Sequence, residues 1–414
     1  MSGILGLRGT GNFGTDERPK NFREMILFRD PNGDAPIFAM TSKLKKRTVD
    51  DPEFSWWDEP QDLVRLQVAG ALLSTDTTVV VDSVDPSASA PGLNYGTATH
   101  LKAGDLLLVE PADDAAAFSP EVIEVVTVLS DTSFTVKRGR SGTSAAAIGD
   151  DLFLLLIGSS YAEGTDAPSA VSRNPIKYFN YTQIFKNTYE LTKTTDVTKF
   201  RTGDPWSNDK KRKMFDHARS VELAILFGQK SETTGDNGKP LRTMGGLRQF
   251  IPSGNQYVYA TGTGTTWFDL IDRISPVFDY TSPAGDQRAA FVGNGALNAL
   301  NKVFAADSSS EIKWEGVTRV FGMNFRELVM PQGRLLLRTH PLMSRNTLYT
   351  NSMFVLDMSS LNYVTLPGRD TKMKDDIQDA GEDLRRGFIQ TESSLMVDRG
   401  GVTNAYIGGI KYSP

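Results

Sequence analysis

The chain has 414 residues, 39% of them hydrophobic, which is enough to bury a sizeable core and long enough for two or three domains. Its 45 basic and 50 acidic side chains leave a net charge of −5, so no global field draws the surface onto nucleic acid or an anionic membrane, and any DNA contact must be local. The lack of cysteine excludes disulfides, thiolate nucleophiles and cysteine-ligated metal sites together. No apolar run approaches the roughly 20 residues that span a bilayer, and residues 1–16 are Gly-rich without the apolar stretch of a signal peptide. The expectation is a folded chain that is neither membrane-embedded nor secreted by that route.

Residues 1–62 mix Gly, Pro and charge with isolated apolar clusters, a composition that cannot close a core of its own. Yet Phe22, Phe28, Phe38, Phe54, Trp56 and Trp57 are too many large aromatics for a solvated tail. Two readings stay open: an extended arm that docks on a neighbour, or an irregular part of the chain's own core.

An all-β unit follows over 67–160, with strands predicted at 78–82, 106–110, 121–129, 133–137 and 152–157. These are runs of Val, Thr, Ile and Leu bounded by Gly, Pro, Asp and Ser. Strands at this spacing suggest a small barrel or sandwich. The basic loop 138–142, with Arg138 and Arg140, reads either as a contact for an acidic partner or as a solvated loop.

Residues 178–185 and 188–198 have strand character, and 208–227 form the longest helix, about 20 residues or roughly 30 Å, ending at Gly228. Met214, Ala218, Val221 and Ile225 fall on one face of that helix and are expected to pack it against the body. Lys210, Lys211, Arg212 and Lys213 crowd its first turns, where the helix dipole disfavours cations. Either they await an acidic partner, or they are a solvated helix start. Helices at 267–278 and 294–306 then alternate with strands at 289–292, 334–339, 353–357 and 363–366. A final strand pair, 388–398 and 405–412, is joined by Arg399-Gly400-Gly401 and expected to fold back beside the long helix.

Catalytic signals are scarce. His100, His217 and His340 are the only histidines, without ligand spacing, and the chain has no Gly-x-Ser-x-Gly elbow, phosphate loop or dinucleotide fingerprint. Thr261–Thr266 alternates with Gly ahead of a helix and reads as a link with an N-cap. Close carboxylates such as Glu121 with Glu124, Asp375 with Asp376 and Glu382 with Asp383 read as surface charges, because proximity in sequence does not make the paired site a glycosidase needs. Neither a cofactor nor a metal is expected.

The order of these parts resembles a known family. The aromatic arm with Arg18-Pro19-Lys20 and Trp56-Trp57 comes first, then the β unit ending in Val136-Lys137-Arg138-Gly139 and Ala145-Ala146-Ala147. Asn180-Tyr181-Thr182-Gln183-Ile184-Phe185, the helical run Ser220 to Gly228 and Gly245-Gly246-Leu247 follow. Together they look like a tailed-bacteriophage major capsid protein of the Hong Kong 97-like capsid fold. The resemblance implies an α+β chain with an N-terminal arm at 1–62 and an extended loop at 63–165 that carries the inserted small all-β domain. A peripheral domain with the long spine helix would occupy 166–255, an axial domain 256–384, and C-terminal strands at 385–414 would return to the peripheral domain.

It also implies the function: self-assembly into hexamers and pentamers of an icosahedral shell around double-stranded DNA, held only by weak non-specific contact. Such a protein is no enzyme. Its partners would be copies of itself, a portal protein, and scaffolding and decoration proteins. It would be assembled in the bacterial cytoplasm and reside in the virion capsid. On this reading Phe22, Ile26, Leu27, Trp56 and Trp57 anchor the arm to a neighbouring subunit. Covalent cross-linking through a Lys and an Asn, found in some members, is not expected. The alternatives are another phage structural part, such as a tail or decoration protein, and a carbohydrate-active enzyme with a β-rich binding module.

Overall fold

A computed structural model describes residues 44–59, 64–82, 97–111, 120–172, 175–200, 203–260, 262, 264–306, 314–320 and 323–412. The proposed arm anchors Phe22, Ile26 and Leu27 lie outside the described residues. The fold is α+β, built from a two-sheet body and an inserted barrel.

A seven-stranded sheet runs in the order Gln256–Val258, Ala405–Gly408, Met353–Leu356, Gln287–Val292, Gly333–Thr339, Met323–Met330, Trp314–Val320. Its central strands read as continuous apolar runs because both faces are covered. Ala290, Val292, Leu335, Leu337 and Val355 meet the helices Trp267–Ile274 and Asn294–Ala306 on one side. Ala289, Phe291, Leu336 and Phe354 point the other way, as strand alternation requires, into the main core. Thr266 caps the first of those helices by accepting from the Asp269 N–H at 3.2 Å, so the Thr/Gly link does end in an N-cap.

The second sheet has five strands. Lys45–Thr48 pairs in parallel with Leu361–Thr365, which lies antiparallel to the 14-residue strand Leu384–Val397. That strand pairs over its first ten residues with Gln183–Thr192 and, on its other edge, with Lys372–Lys374. The long helix Pro205–Phe227 lies between the two sheets' contributions to the main core, where Val221, Ile225 and Leu226 meet Phe185, Leu395 and Val397 from one sheet and Phe291 and Phe354 from the other. The helix begins one turn earlier than its periodicity predicts: Asp204 accepts from the Trp206 and Ser207 N–H groups, and Pro205 supplies a first helical residue that needs no donor. It ends at Gly228, where Gly246 comes so close that a Cβ there would lie 2.6 Å from both the Ala224 carbonyl oxygen and the Gly228 nitrogen.

Two expectations are corrected. Residues 45–48 and 53–58, read as part of an irregular arm, are ordered strands of the body. They are short, the first is wholly polar, and their pairing partners lie more than 100 residues away. The expected C-terminal pair does not exist: Leu384–Val397 stays in the five-stranded sheet, while Ala405–Gly408 enters the seven-stranded one beside Met353–Leu356. Arg399, Gly400 and Gly401, at φ of 59°, 53° and 74°, turn the chain between sheets instead of closing a hairpin. Gly401 is required there, since a Cβ would collide with the Phe250 carbonyl.

The inserted unit is a closed barrel. Its strands run Arg65–Gln67, Phe153–Ser159, Asp105–Val109, Val122–Ser130, Ser133–Arg140, Thr78–Val80, and a bridge between Val68 and Val81 returns the last to the first. Leu66, Val79, Leu107, Ile123, Phe134 and Leu154 fill it with no exposed surface. Closure removes the free edges that an isolated sheet of this size would present.

Candidate assembly surfaces

The barrel leaves the body through a two-stranded stem, Glu53–Asp58 against Ile176–Tyr181, with Trp56 opposite Tyr178. Strand alternation splits its aromatic pair. Trp56 is buried in its own chain against Phe54, Val364 and Met396, stacks on Tyr178 with ring centres 6.1 Å apart, and donates its Nε1 hydrogen to the Val397 carbonyl at 3.1 Å. Trp57 faces outward and is 59% exposed. The expectation that both anchor a neighbouring subunit is corrected for Trp56, whose surface is already spent inside the monomer. Adjacent residues on a strand cannot share a face, and that signal was present in the sequence.

Asn180 fixes the other stem strand. Fully buried, it donates to the Leu395 and Gly245 carbonyls and accepts from the Gly245 N–H, at 2.7, 3.1 and 2.7 Å. Asp58 at the stem's far end accepts from the Gly400 N–H at 2.7 Å, and burial pushes its carboxyl above the ordinary value. Nothing in composition or spacing marked Asn180. Its neighbours come from residues 245 and 395, brought near only by the fold.

On the long helix, Val221 and Ile225 are buried, Ala218 is half-buried and Met214 is 48% exposed. Met214 is therefore corrected as a packing residue. At its level the helix is held by His217, whose Nδ1 and Nε2 meet Asn187 and Thr391 at 2.8 and 2.7 Å, and burial depresses its pKa. One turn on, the helix buries Glu222 completely against His340, Nε2 to Oε1 2.7 Å. His340 Nδ1 accepts from the Met343 N–H, which leaves the proton on Nε2 to donate to Glu222. Two of the three histidines thus lock the helix to the sheets.

The cations expected to meet an acidic partner divide. Arg138 is corrected: its side chain is 6% exposed and forks onto Glu121 through two 2.7 Å hydrogen bonds. Burial by itself would raise the Glu121 carboxyl, but the Arg138 guanidinium and the Ala146 and Gly139 N–H groups outweigh it and hold the pKa below the ordinary value. Glu121 is correspondingly no surface charge. Arg140 pairs with Glu124 within the barrel, and Lys210 with Asp375 at 2.6 Å. Arg212 pairs with Asp209 within the helix, whereas Lys211 is exposed and Lys213 half-buried. Among the described residues no group of three or more His, Asp or Glu side chains could hold a metal ion.

A two-stranded stem thus joins a barrel with its own closed core to a two-sheet body. The family model for the SU10 major capsid protein matches residues 9–407. The chain belongs to that major capsid protein family. A major capsid protein of Pseudomonas phage PaMx41 is 28% identical over 374 residues, covering 88% of this chain and 82% of that one. Among solved structures, the capsid of a native GTA particle has a TM-score of 0.44 at 8% identity, covering 98% of this chain and all of that one. The capsid of cyanophage P-SCSP1u has a TM-score of 0.41 at 11% identity, covering 98% of each chain. In this member of the SU10 family the stem leaves Trp57 exposed on its outward face.

Proposed function

We propose that this phage capsid protein is the shell subunit of a tailed double-stranded DNA bacteriophage with a Hong Kong 97-like fold. It self-assembles into hexamers and pentamers of an icosahedral head. The supporting observation is the stem: Trp56 and Asn180 bind its root to the five-stranded sheet, so the barrel with its own closed core is held out from the body. In this reading the five-stranded sheet with helix Pro205–Phe227 is the peripheral domain, the seven-stranded sheet with its two helices is the axial domain, and the stem with the barrel is the extended loop. The last strand, Ala405–Gly408, belongs to the axial sheet.

Identical chains meeting head to tail close into rings when the rotation allows, and rings of five and six then tile a closed surface. Each reaching module adds buried area per subunit without enlarging any core. The role is structural, and no residue is assigned to catalysis. Portal, scaffolding and decoration proteins are the further partners of this reading, with DNA touched only weakly and assembly taking place in the bacterial cytoplasm.

Electron microscopy of the purified full-length protein tests it. Closed shells with five- and six-fold clusters are expected, whereas tubes, or a monomer that persists at high concentration, would overturn it.

A further inference from the structure

Charge is distributed very unevenly along the chain. Residues 64–160 carry twelve acidic and five basic side chains, a net −7 against −5 for the whole protein, so the remainder carries +2. Inside the barrel the cations are consumed locally: Arg65 by Glu110, Arg138 by Glu121, and Lys137 and Arg140 by Glu124. Asp150 and Asp151 lie beside residues 68–70, at the barrel end away from its connections to the stem, and Asp82 stands across the same strand, opposite Gln67. There the Gly70 N–H donates to Asp150 at 2.6 Å, the Gln67 side chain donates to Asp151 at 3.2 Å, and the Asp82 N–H donates to the Gln67 carbonyl at 2.9 Å. Among the described residues none of the three forms an ion pair.

The five-stranded sheet has the opposite surplus. Lys186, Gln390 and Lys372 stand side by side across three strands, and Lys374 lies one step along beside Phe388. Ile389 and Met373, which alternate with them, take the other face, where Ile389 meets the long helix's Trp206. Together with Gln390, Lys372 and Lys374 line a shallow depression whose other charges are already engaged, Arg369 by Glu392 and Asp370 by Lys46. All three lysines are exposed, and among the described residues none forms an ion pair.

The stem makes the contact intermolecular. It runs from Thr182, bonded to Glu392, to Asp58, bonded to Gly400, so the barrel departs at one end of strand Leu384–Val397. The lysines sit beside residues 388–390 in the middle of that strand, about 23–30 Å back from Val397. Complementary charges on separate parts of one chain suit a heterologous contact between copies.

We propose that in the assembled shell the acidic end of one subunit's barrel docks on the Lys186, Lys372 and Lys374 face of a neighbouring subunit. This rests on the shell reading above. The test is zero-length carbodiimide cross-linking of particles formed from mixed light and ¹⁵N-labelled full-length chains, read by mass spectrometry. The expected result is mixed-isotope links between peptides holding Lys186, Lys372 or Lys374 and those holding Asp82, Asp150 or Asp151. In parallel, the variant Lys186→Glu, Lys372→Glu, Lys374→Glu should lose at least about tenfold in particle yield, and Asp82→Lys, Asp150→Lys, Asp151→Lys in the same chain should restore it.

Particles whose lysines link to other carboxylates, or form normally from the lysine variant, would overturn the contact and leave the shell reading standing. Lysines free in empty heads and shielded only in filled ones would reassign the face to DNA. A protein that forms no particle at all removes the shell reading and the contact with it.

Discussion

The barrel and the body solve the same packing problem in opposite ways. The barrel draws its whole core from one unbroken stretch, 64 to 154, and satisfies its buried charge internally. The body takes the main core from Leu44, Phe185, the 221–251 region, strands near 290, 336 and 356, and the C-terminal 395–406. A unit assembled from local pieces can be inserted, lost or altered without disturbing its host. A core woven from both ends of the chain cannot. In this chain the division separates the woven core of the body from the self-contained core of the barrel.

The sharpest way to break that comparison is to damage each half separately and ask whether the other notices. Replacing Arg138 with Ala leaves Glu121 buried and unpaired, which should cost the barrel about 3–5 kcal/mol. Trp56→Ala empties an aromatic site and loses a hydrogen bond at the body's stem, for about 3–5 kcal/mol in the body. Denaturation followed by hydrogen exchange, peptide by peptide, would locate each loss. The expected outcome is loss confined to 64–160 in the first variant and to the body in the second, and a shared loss would mean that the two regions unfold as one. Trp57→Ala is the matched control: its stability should change by no more than about 0.5 kcal/mol, so an assembly defect there would report on contacts between subunits.

A smaller contrast lies within the long helix. Ile225→Ala should cost about 2–5 kcal/mol because it leaves a cavity between the two sheets, and Met214→Ala should cost no more than about 1 kcal/mol because about half of that residue is already in water. Equal effects in urea titrations would put the helix's anchor at the wrong end.

How much of this was legible follows the same divide. The strands read from 78–82, 106–110, 121–129, 133–137 and 152–157 all occur, since each is a β-prone run bounded by local turn residues, and the middle three pair in succession with near neighbours in sequence. The strand Arg65–Gln67 was missed, being three residues long and paired with residues 153–155. In the body, helix 294–306 matched its periodicity, whereas Lys45–Thr48, Glu53–Asp58 and the true partner of Ala405–Gly408 were hidden, because their pairing is fixed by distant segments. Asn180 and the Glu222–His340 pair share that fate. Of the surface residues, Arg138 misled because an arginine in a Gly-rich loop looks solvated, and only the folded barrel brings Glu121 beneath it.

Acid should separate the halves most gently. In the body, burial depresses the pKa of His217, so the unfolded chain takes up a proton near its ordinary value of 6.5 while the folded chain does not. Its contribution is therefore complete above pH 6.5 and declines as pH falls below that. In the barrel, Glu121 is held below its ordinary 4.5, so its contribution is complete above that value and is lost only as pH falls further, through the folded-state pKa. The body should begin to weaken about two pH units before the barrel does. Hydrogen exchange between pH 7 and 4, corrected for intrinsic rates, reads this directly. His217→Gln, which keeps a hydrogen-bonding side chain and cannot titrate, should flatten the body's response near pH 6 and leave the barrel's untouched. If the body's response kept its slope in that variant, the early acid sensitivity would belong to another group.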